Sequence, residues 1–297
     1  MTEDTARPTI VSGEPGRLST LLRAALPAVP VINQLPGVRK VAVRDFTGLS
    51  YARTGVVAAR PDVEAYAAVC GFPRKDTVPL TYPHLLAFGL HMVIMSDHDF
   101  PYVALGMVHV ENTITAHRGI AVGEVVDVST TVGAPRPHAK GTLLDFVTAV
   151  TTDSEVAWDS TSTYLRRGTP PEGEPASGLV IDHPPAGGIE WPLPADLGRT
   201  YASVSGDANP IHLYPWTARA LGFRRQIAHG MWTLARSVAA IENRLPDAVT
   251  VEAAFKKPVF LPGTVAFASR PAADGLTFSL TNPKDGSPHL LGRTTSA

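Results

Sequence analysis

The chain has 297 residues, 44% of them hydrophobic and 18% charged, with 27 prolines, 25 glycines, one cysteine and a formal net charge of −1. That length allows two modest domains or one large one, its Pro and Gly content stays below that of low-complexity chains, and a near-neutral balance gives no long-range attraction for nucleic acid or an anionic membrane. The lone Cys70 excludes an internal disulfide framework and a cysteine-rich zinc site and fits a reducing compartment, so a cytoplasmic location is expected.

The first residues, MTEDTARPTIV, are polar and acidic, without an apolar stretch of secretory type. AYAAVCGF follows at Ala65 to Phe72. The longest apolar run, Leu85 to Met95, falls short of the roughly 20 residues needed to cross a bilayer, so a buried helix and no membrane insertion are expected. Asp97-His98-Asp99 after it reads as a solvated loop, because no second cluster stands at metal-ligand spacing. A strand-like run, MVHVENTIT, comes next, then Gly123 ahead of a β-branched run. TLLDFVTAV, a TDSE turn and VAWDSTSTYL read as a long hairpin. The Pro/Gly-rich stretch from Gly168 to Gly178 resists helix and sheet and reads as a linker.

Beyond the linker the order repeats. TYASVSGD, Thr200 to Asp207, shares Y-A-x-V-x-G with AYAAVCGF, so Tyr66 and Tyr201 correspond. Apolar residues Met231, Leu234, Val238, Ile241 and Leu245 fall at steps of three and four and predict a helix closed by Pro246. AVTVEAAF, then Gly263, then LTFSLTN, a PKDG turn and PHLLGRTT complete the second series. Four features in one order indicate a repeat. A helix apolar along one whole side needs a sheet to cover it, so the fold expected is α+β, two units each with a helix cradled by a curved antiparallel sheet.

The densest chemistry is SGDANPIH, Ser205 to His212. Asp207 and His212 flank Asn209-Pro210, a pair that turns the chain and can bring carboxylate and imidazole towards one point. On spacing alone the plainer reading stands equally: Asp207 and Asn209 as turn or N-cap residues, and His212 as a surface histidine ahead of a short helix, Pro215 to Leu221. IAHGMW puts His229 and Gly230 at the start of the long helix. Its free amides suit an oxyanion and Gly permits close approach, while a glycine needed only for tight helix–sheet contact and a capping or core histidine fit the same pattern.

Y-A-S-V-S-G-D-A-N-P-I-H, then A-H-G-M and F-K-K-P-V-F-L-P-G, closely resembles the MaoC-like hydratases, a hot-dog-fold family that includes (R)-specific enoyl-CoA hydratases and 3-hydroxyacyl-thioester dehydratases. The match runs from about Thr200 to Arg270, and the length and repeat resemble the double-hot-dog branch. The resemblance implies a repeat over 1–167 without chemistry, a linker over 168–189 and a catalytic repeat over 190–297. It implies Asp207 and His212 as acid/base pair, Asn209 orienting them, Gly230 donating its amide to the thioester carbonyl, and Ser205, Gly206, His229, Met231 and Trp232 on the substrate side. In the first repeat Phe72 stands where Asp207 would be, no N-P-x-H follows, and Pro79 to His84 takes the place of the oxyanion loop without H-G, leaving His84 structural.

Adding water to a 2-enoyl thioester requires attack at C3 and a proton at C2, which an acid/base pair around one water supplies. The implied activity is reversible hydration of trans-2-enoyl and dehydration of (3R)-3-hydroxyacyl thioesters in fatty-acid metabolism. Coenzyme A or acyl carrier protein would carry the substrate; no other cofactor and no metal is expected, and the resemblance implies a homodimer. Arg224-Arg225 and Lys256-Lys257 fit contacts to the carrier's phosphates or acidic surface, or solvated faces. Met231, Trp232 and Phe223 fit an acyl tunnel or simply core. The rival functions are a hot-dog acyl-thioesterase and a non-catalytic acyl-thioester-binding subunit.

Overall fold

In the computed structural model the described residues are 8–13, 46–153 and 155–297. The polar residues 1–7 and Ser154 of the TDSE turn lie outside them. The described residues form two compact units, neither contiguous in sequence: those within Met1–Val56, His84–His109 and Val125–Ser177 make the first, and those within Val57–Pro83, Val110–Glu124 and Gly178–Ala297 the second.

In chain order come β1 (Thr9–Ile10), β2 (Ser50–Val57), helices α1 (Arg60–Cys70) and α2 (Pro83–Ser96), and β3 (Met107–Ala116). Strands β4 (Val125–Val132), β5 (Arg136–His138), β6 (Gly141–Thr152) and β7 (Glu155–Arg167) follow. After an irregular stretch from Gly168 to Gly188 come β8 (Ile189–Leu193) and helices α3 (Leu197–Ser205), α4 (Pro210–Leu213), α5 (Pro215–Ala220) and α6 (Gly230–Ala239). The chain ends in β9 (Val249–Phe255), β10 (Gly263–Ala272), β11 (Gly275–Thr281) and β12 (Pro288–Ser296). The α+β layout expected from the sequence is what is found.

In the first unit, β1 runs parallel to β2, and β6 pairs antiparallel with β4, β5 and β7. The β6–β7 hairpin is the expected one, with Leu144 opposite Tyr164 and Phe146 opposite Ser162. Alternation buries Leu144, Phe146, Thr148 and Val150 along β6. Helix α2 has no exposed residue, and its Met92, Ile94 and Met95 join Val132, Leu144, Phe146 and Tyr164 in one apolar cluster. His98 and Asp99 after it are exposed as expected. Asp97 is half-buried instead, because its carboxylate accepts from the Tyr51 hydroxyl and from the Asp99 amide.

In the second unit the antiparallel order is β8, β10, β11, β12, β9, with Glu111–Ala116 of β3 continuing on β9. Helix α6 packs on β11 and buries Met231, Trp232, Thr233, Leu234, Ala235, Ser237 and Val238. Each large side chain so buried contributes roughly 1.5–3 kcal/mol. The helix predicted to reach Leu245 stops at Ala239, and Glu242–Arg244 forms a 3₁₀ turn. Pro246 pushes Leu245 to ψ 138°, off helical geometry, and the chain tightens ahead of it, with the Ile241 amide donating to Val238 O at 3.0 Å. Ile241 remains fully buried, so the apolar periodicity marked the covered face correctly although the helix beneath it had ended.

Candidate active site

Helix α3 ends in Gly206 at φ 76°, whose amide returns to Ala202 O. A residue with a Cβ is strained in this left-handed conformation, and Gly is the usual way to stop a helix there. Asp207 is the next residue. Its amide donates to Ser205 Oγ at 3.2 Å, and its Oδ1 accepts from the Asn209 amide at 3.1 Å. Asn209 caps α4, its side chain accepting from the Ile211 amide at 3.3 Å with Pro210 in the first turn. The turn-and-cap reading of Asp207 and Asn209 is therefore realised, and it is also what delivers His212, one turn on. A Cβ on Gly198 would lie 1.9 Å from His212 O, so only glycine lets α4 come this close to α3.

His212 is buried at 7% exposure, not a surface histidine. Its Nδ1 lies 2.8 Å from Ile227 O; a carbonyl can only accept, so Nδ1 carries the proton and Nε2 keeps its lone pair. The His212 ring stacks on His229, centroids 3.7 Å apart. His229 is the N-cap residue of α6, and its Nε2–H donates to Asp207 O at 2.9 Å. Asp207 Oδ2 is 3.8 Å from the same nitrogen. Asp207, His212 and His229 each present a possible ligand atom within 4.8 Å of the others, although one nitrogen of each imidazole is already engaged by a backbone carbonyl.

Burial pushes His212 down to about 3 and His229 to about 4, from an ordinary 6.5. The neighbouring His229 lowers His212 further, and Asp207 opposes both effects. Both rings are neutral at physiological pH. Burial raises the Asp207 carboxyl, against the pull of His212 and of the Asn209 amide. Its side chain keeps 26% exposure, so solvent limits that rise.

Gly230 opens α6, where the first amides have no partner inside the helix. A Cβ there would meet the Phe255 ring at 3.2 Å, which realises the packing reading of this glycine. Met231 is buried in the core. Trp232 donates its indole N–H to Val69 O at 3.1 Å, a tie to the end of α1. Arg224 lies over the Phe260 ring at 4.1 Å, and Lys256 Nζ donates to Leu179 O at 3.2 Å. Phe72 follows the first-half glycine as expected, with no carboxylate. His84 is buried with its Nδ1 unpartnered, and burial lowers it to about 4.

Two parts of the site escaped the sequence. Ile227 O fixes the His212 tautomer, and a main-chain carbonyl leaves no residue-type signal. Tyr201, noticed only as half of a repeat, places its ring 4.9 Å from His229. Its place in Y-A-x-V-x-G, five residues before the cap glycine Gly206, was the available clue.

Residues 179–272 match the model of the MaoC like domain. The chain is 40% identical over 283 residues to the 3-hydroxyacyl-thioester dehydratase X of Mycobacterium tuberculosis, covering 93% of this chain and 97% of that protein. The chain belongs to the MaoC-like dehydratase family. A crystal structure of HtdX from Mycobacterium tuberculosis superposes with a TM-score of 0.74 at 37% identity, covering 84% of this chain and 100% of that one. A MaoC-like dehydratase structure from Phytophthora capsici, 18% identical, gives 0.70 over 86% of this chain and 98% of its own, and shows the shared fold alone. This MaoC-like protein is a hot-dog-fold dehydratase, a hydro-lyase. Among the described residues, no helix is long and apolar enough to cross a membrane.

Proposed function

We propose that the chain reversibly hydrates trans-2-enoyl thioesters and dehydrates (3R)-3-hydroxyacyl thioesters, with Asp207 and His212 as the acid/base pair. The observation that carries this is a neutral imidazole with Nδ1 tied to Ile227 O, beside a carboxylate held by its own turn. The free Nε2 accepts a proton from water as the water oxygen bonds to C3. The C2=C3 electron pair moves onto the thioester oxygen, and the Gly230 amide with the α6 dipole holds that charge. The pair then returns a proton to C2, so both groups end as they began. Asn209 orients Asp207, and Ser205 and Gly206 shape the turn on the substrate side, with Met231 and Trp232 behind it. The relative's name, a 3-hydroxyacyl-thioester dehydratase, supports the substrate class. Coenzyme A or acyl carrier protein carries the acyl group, no other cofactor takes part, and the first half contributes no acid/base pair.

The test is turnover of trans-2-enoyl-CoAs of four to twelve carbons, followed by loss of the conjugated thioester's ultraviolet absorbance. Asp207→Asn and His212→Ala are expected to lower kcat by about 10²–10⁴-fold, and a chelator to leave the wild type unchanged. A folded variant with full activity overturns the assignment of that residue. Release of free thiol without hydration would make the protein a thioesterase, and saturable binding without turnover would make it a binding subunit.

A further inference from the structure

His229 stands at the N-cap of α6 and does not cap it. Its side chain makes no bond to the first-turn amides, the work for which Ser, Thr, Asp or Asn is favoured at that position. Nor is it a satisfied core histidine. The residue is 2% exposed and its Nδ1 has no hydrogen-bond partner, a cost that an apolar ring of similar size would avoid. Neither capping nor core packing accounts for an imidazole here; its two contacts do.

One contact goes to each member of the acid/base pair. The ring stacks on His212, with centroids 3.7 Å apart and planes 25° from parallel, and Nε2–H donates to Asp207 O at 2.9 Å. The mount beneath the ring is fixed by main-chain bonds on both sides, since the Ala228 amide donates to Val259 O at 2.8 Å and His229 O accepts from the Thr233 amide at 3.1 Å. The Tyr201 ring lies 4.9 Å from the imidazole. Ile227, two residues earlier, supplies the carbonyl that accepts from His212 Nδ1–H. A phenylalanine at this position could stack without donating, and a glutamine could donate without stacking; an imidazole does both.

We propose that His229 is a positioning residue for the hydration chemistry: its ring fixes the plane of the His212 imidazole while its Nε2–H fixes the main chain of Asp207, so that base and carboxylate keep one mutual geometry. His229 itself moves no proton, because its one N–H is committed to a carbonyl and its other nitrogen is buried. This rests on the hydratase reading above.

The experiment uses His229→Phe, which keeps a ring, His229→Gln, which keeps a donor, and the double variant His212→Ala/His229→Gln. With the enoyl-CoA chain of highest wild-type turnover, each single variant is expected to lose about 3- to 10-fold in kcat, the worth of one ring contact or one hydrogen bond, with KM changed by less than about twofold. Added to His212→Ala, the glutamine should cost less than about twofold more, because the stacked ring acts through the imidazole already removed. Wild-type kcat in either single variant overturns the role of the contact it lacks. A loss of about 10²-fold or more in both, the size expected of a proton-transferring group, overturns positioning, and so does a loss that multiplies in the double variant, the pattern of a loosened fold. If one variant fails to fold, the other still tests its own contact. Absence of wild-type turnover on every chain length counts against the hydratase reading instead. Proton exchange followed by NMR then decides. The His212 Nδ1–H should exchange about 3- to 10-fold faster in His229→Gln, and the Asn209 amide, which bonds the Asp207 carboxylate, should do so in His229→Phe; unchanged rates overturn the positioning role.

Discussion

Helices α1 and α3 both carry Y-A-x-V-x-G and both stop at a left-handed glycine, Gly71 at φ 80° and Gly206 at φ 76°, whose amides return to Ala67 O and Ala202 O. In both, the tyrosine leans on the residue just before a central helix. Tyr66 meets Tyr82 at 5.5 Å ahead of α2, and Tyr201 meets His229 at 4.9 Å ahead of α6. After the glycine the two part. Phe72 turns inward at 7% exposure and stacks near Tyr66 at 6.3 Å, whereas Asp207 keeps 26% exposure and faces an imidazole. The same backbone device serves both halves, and the side chains it aims have been exchanged from a carboxylate and an imidazole to two apolar-faced rings. A glycine cap fixes direction; chemistry depends on what stands next to it.

The largest effect expected is from moving the first-half residue into the second. Asp207→Phe should lower hydration by about 10²–10⁴-fold with the thermal midpoint little changed, because Gly206 still ends the helix. The reverse change, Phe72→Asp, should add no activity and destabilise the fold by about 1–3 kcal/mol, since it replaces a buried ring packed on Tyr66 with a carboxyl that must be desolvated. Urea melts and turnover on both variants check this. Should Phe72→Asp create turnover in an Asp207→Asn background, the halves would be chemically equivalent after all.

The caps themselves should differ by less. Ala at either glycine costs about 1–2 kcal/mol for a left-handed conformation. Gly71→Ala should cost more than Gly206→Ala, because its Cβ would also lie 2.7 Å from Arg236 Nη1, a side chain stacked over Trp191 at 4.4 Å. Gly206→Ala should in turn cost more activity, by displacing Asp207. Equal melts and equal kcat would remove the distinction between the two turns.

Acid sharpens the comparison further. Burial holds His229 and His84 near 4, each below the ordinary 6.5. Between those values the unfolded chain binds protons that the folded chain refuses. Stability from these groups is therefore whole above pH 6.5 and is lost as pH falls towards 4, by about 2 kcal/mol for each at pH 5. His229→Gln and His84→Gln should each flatten that acid slope in chemical denaturation, and only His229→Gln should alter kcat at neutral pH. An unchanged slope in either variant would mean that histidine titrates near its ordinary value.

Much of this was legible residue by residue. The β6–β7 and β11–β12 hairpins follow from alternation and their turns, α5 from its place after Pro215, and the burial of α2 from its apolar run. G-D-x-N-P-x-H marked the site because a cap glycine, an Asx turn and a proline-started helix are all local instructions. The end of α6 was misjudged because periodicity records which face is covered, and Ile241 stays covered in a tighter turn.

The amino-acid sequence by itself determined the α+β class and the local turn that gathers Asp207, Asn209 and His212, since helix caps, turns and alternation depend on contacts within a dozen or so positions. Only the tertiary structure decided that Val57–Pro83 and Val110–Glu124 group with the second half in one unit, that Ile227 O sets the tautomer of His212, and that Tyr66 meets Tyr201. Those are long-range meetings of buried groups, governed by which polar atoms remain unsatisfied once apolar surface has closed over them, and no local pattern announces where such partners will be found.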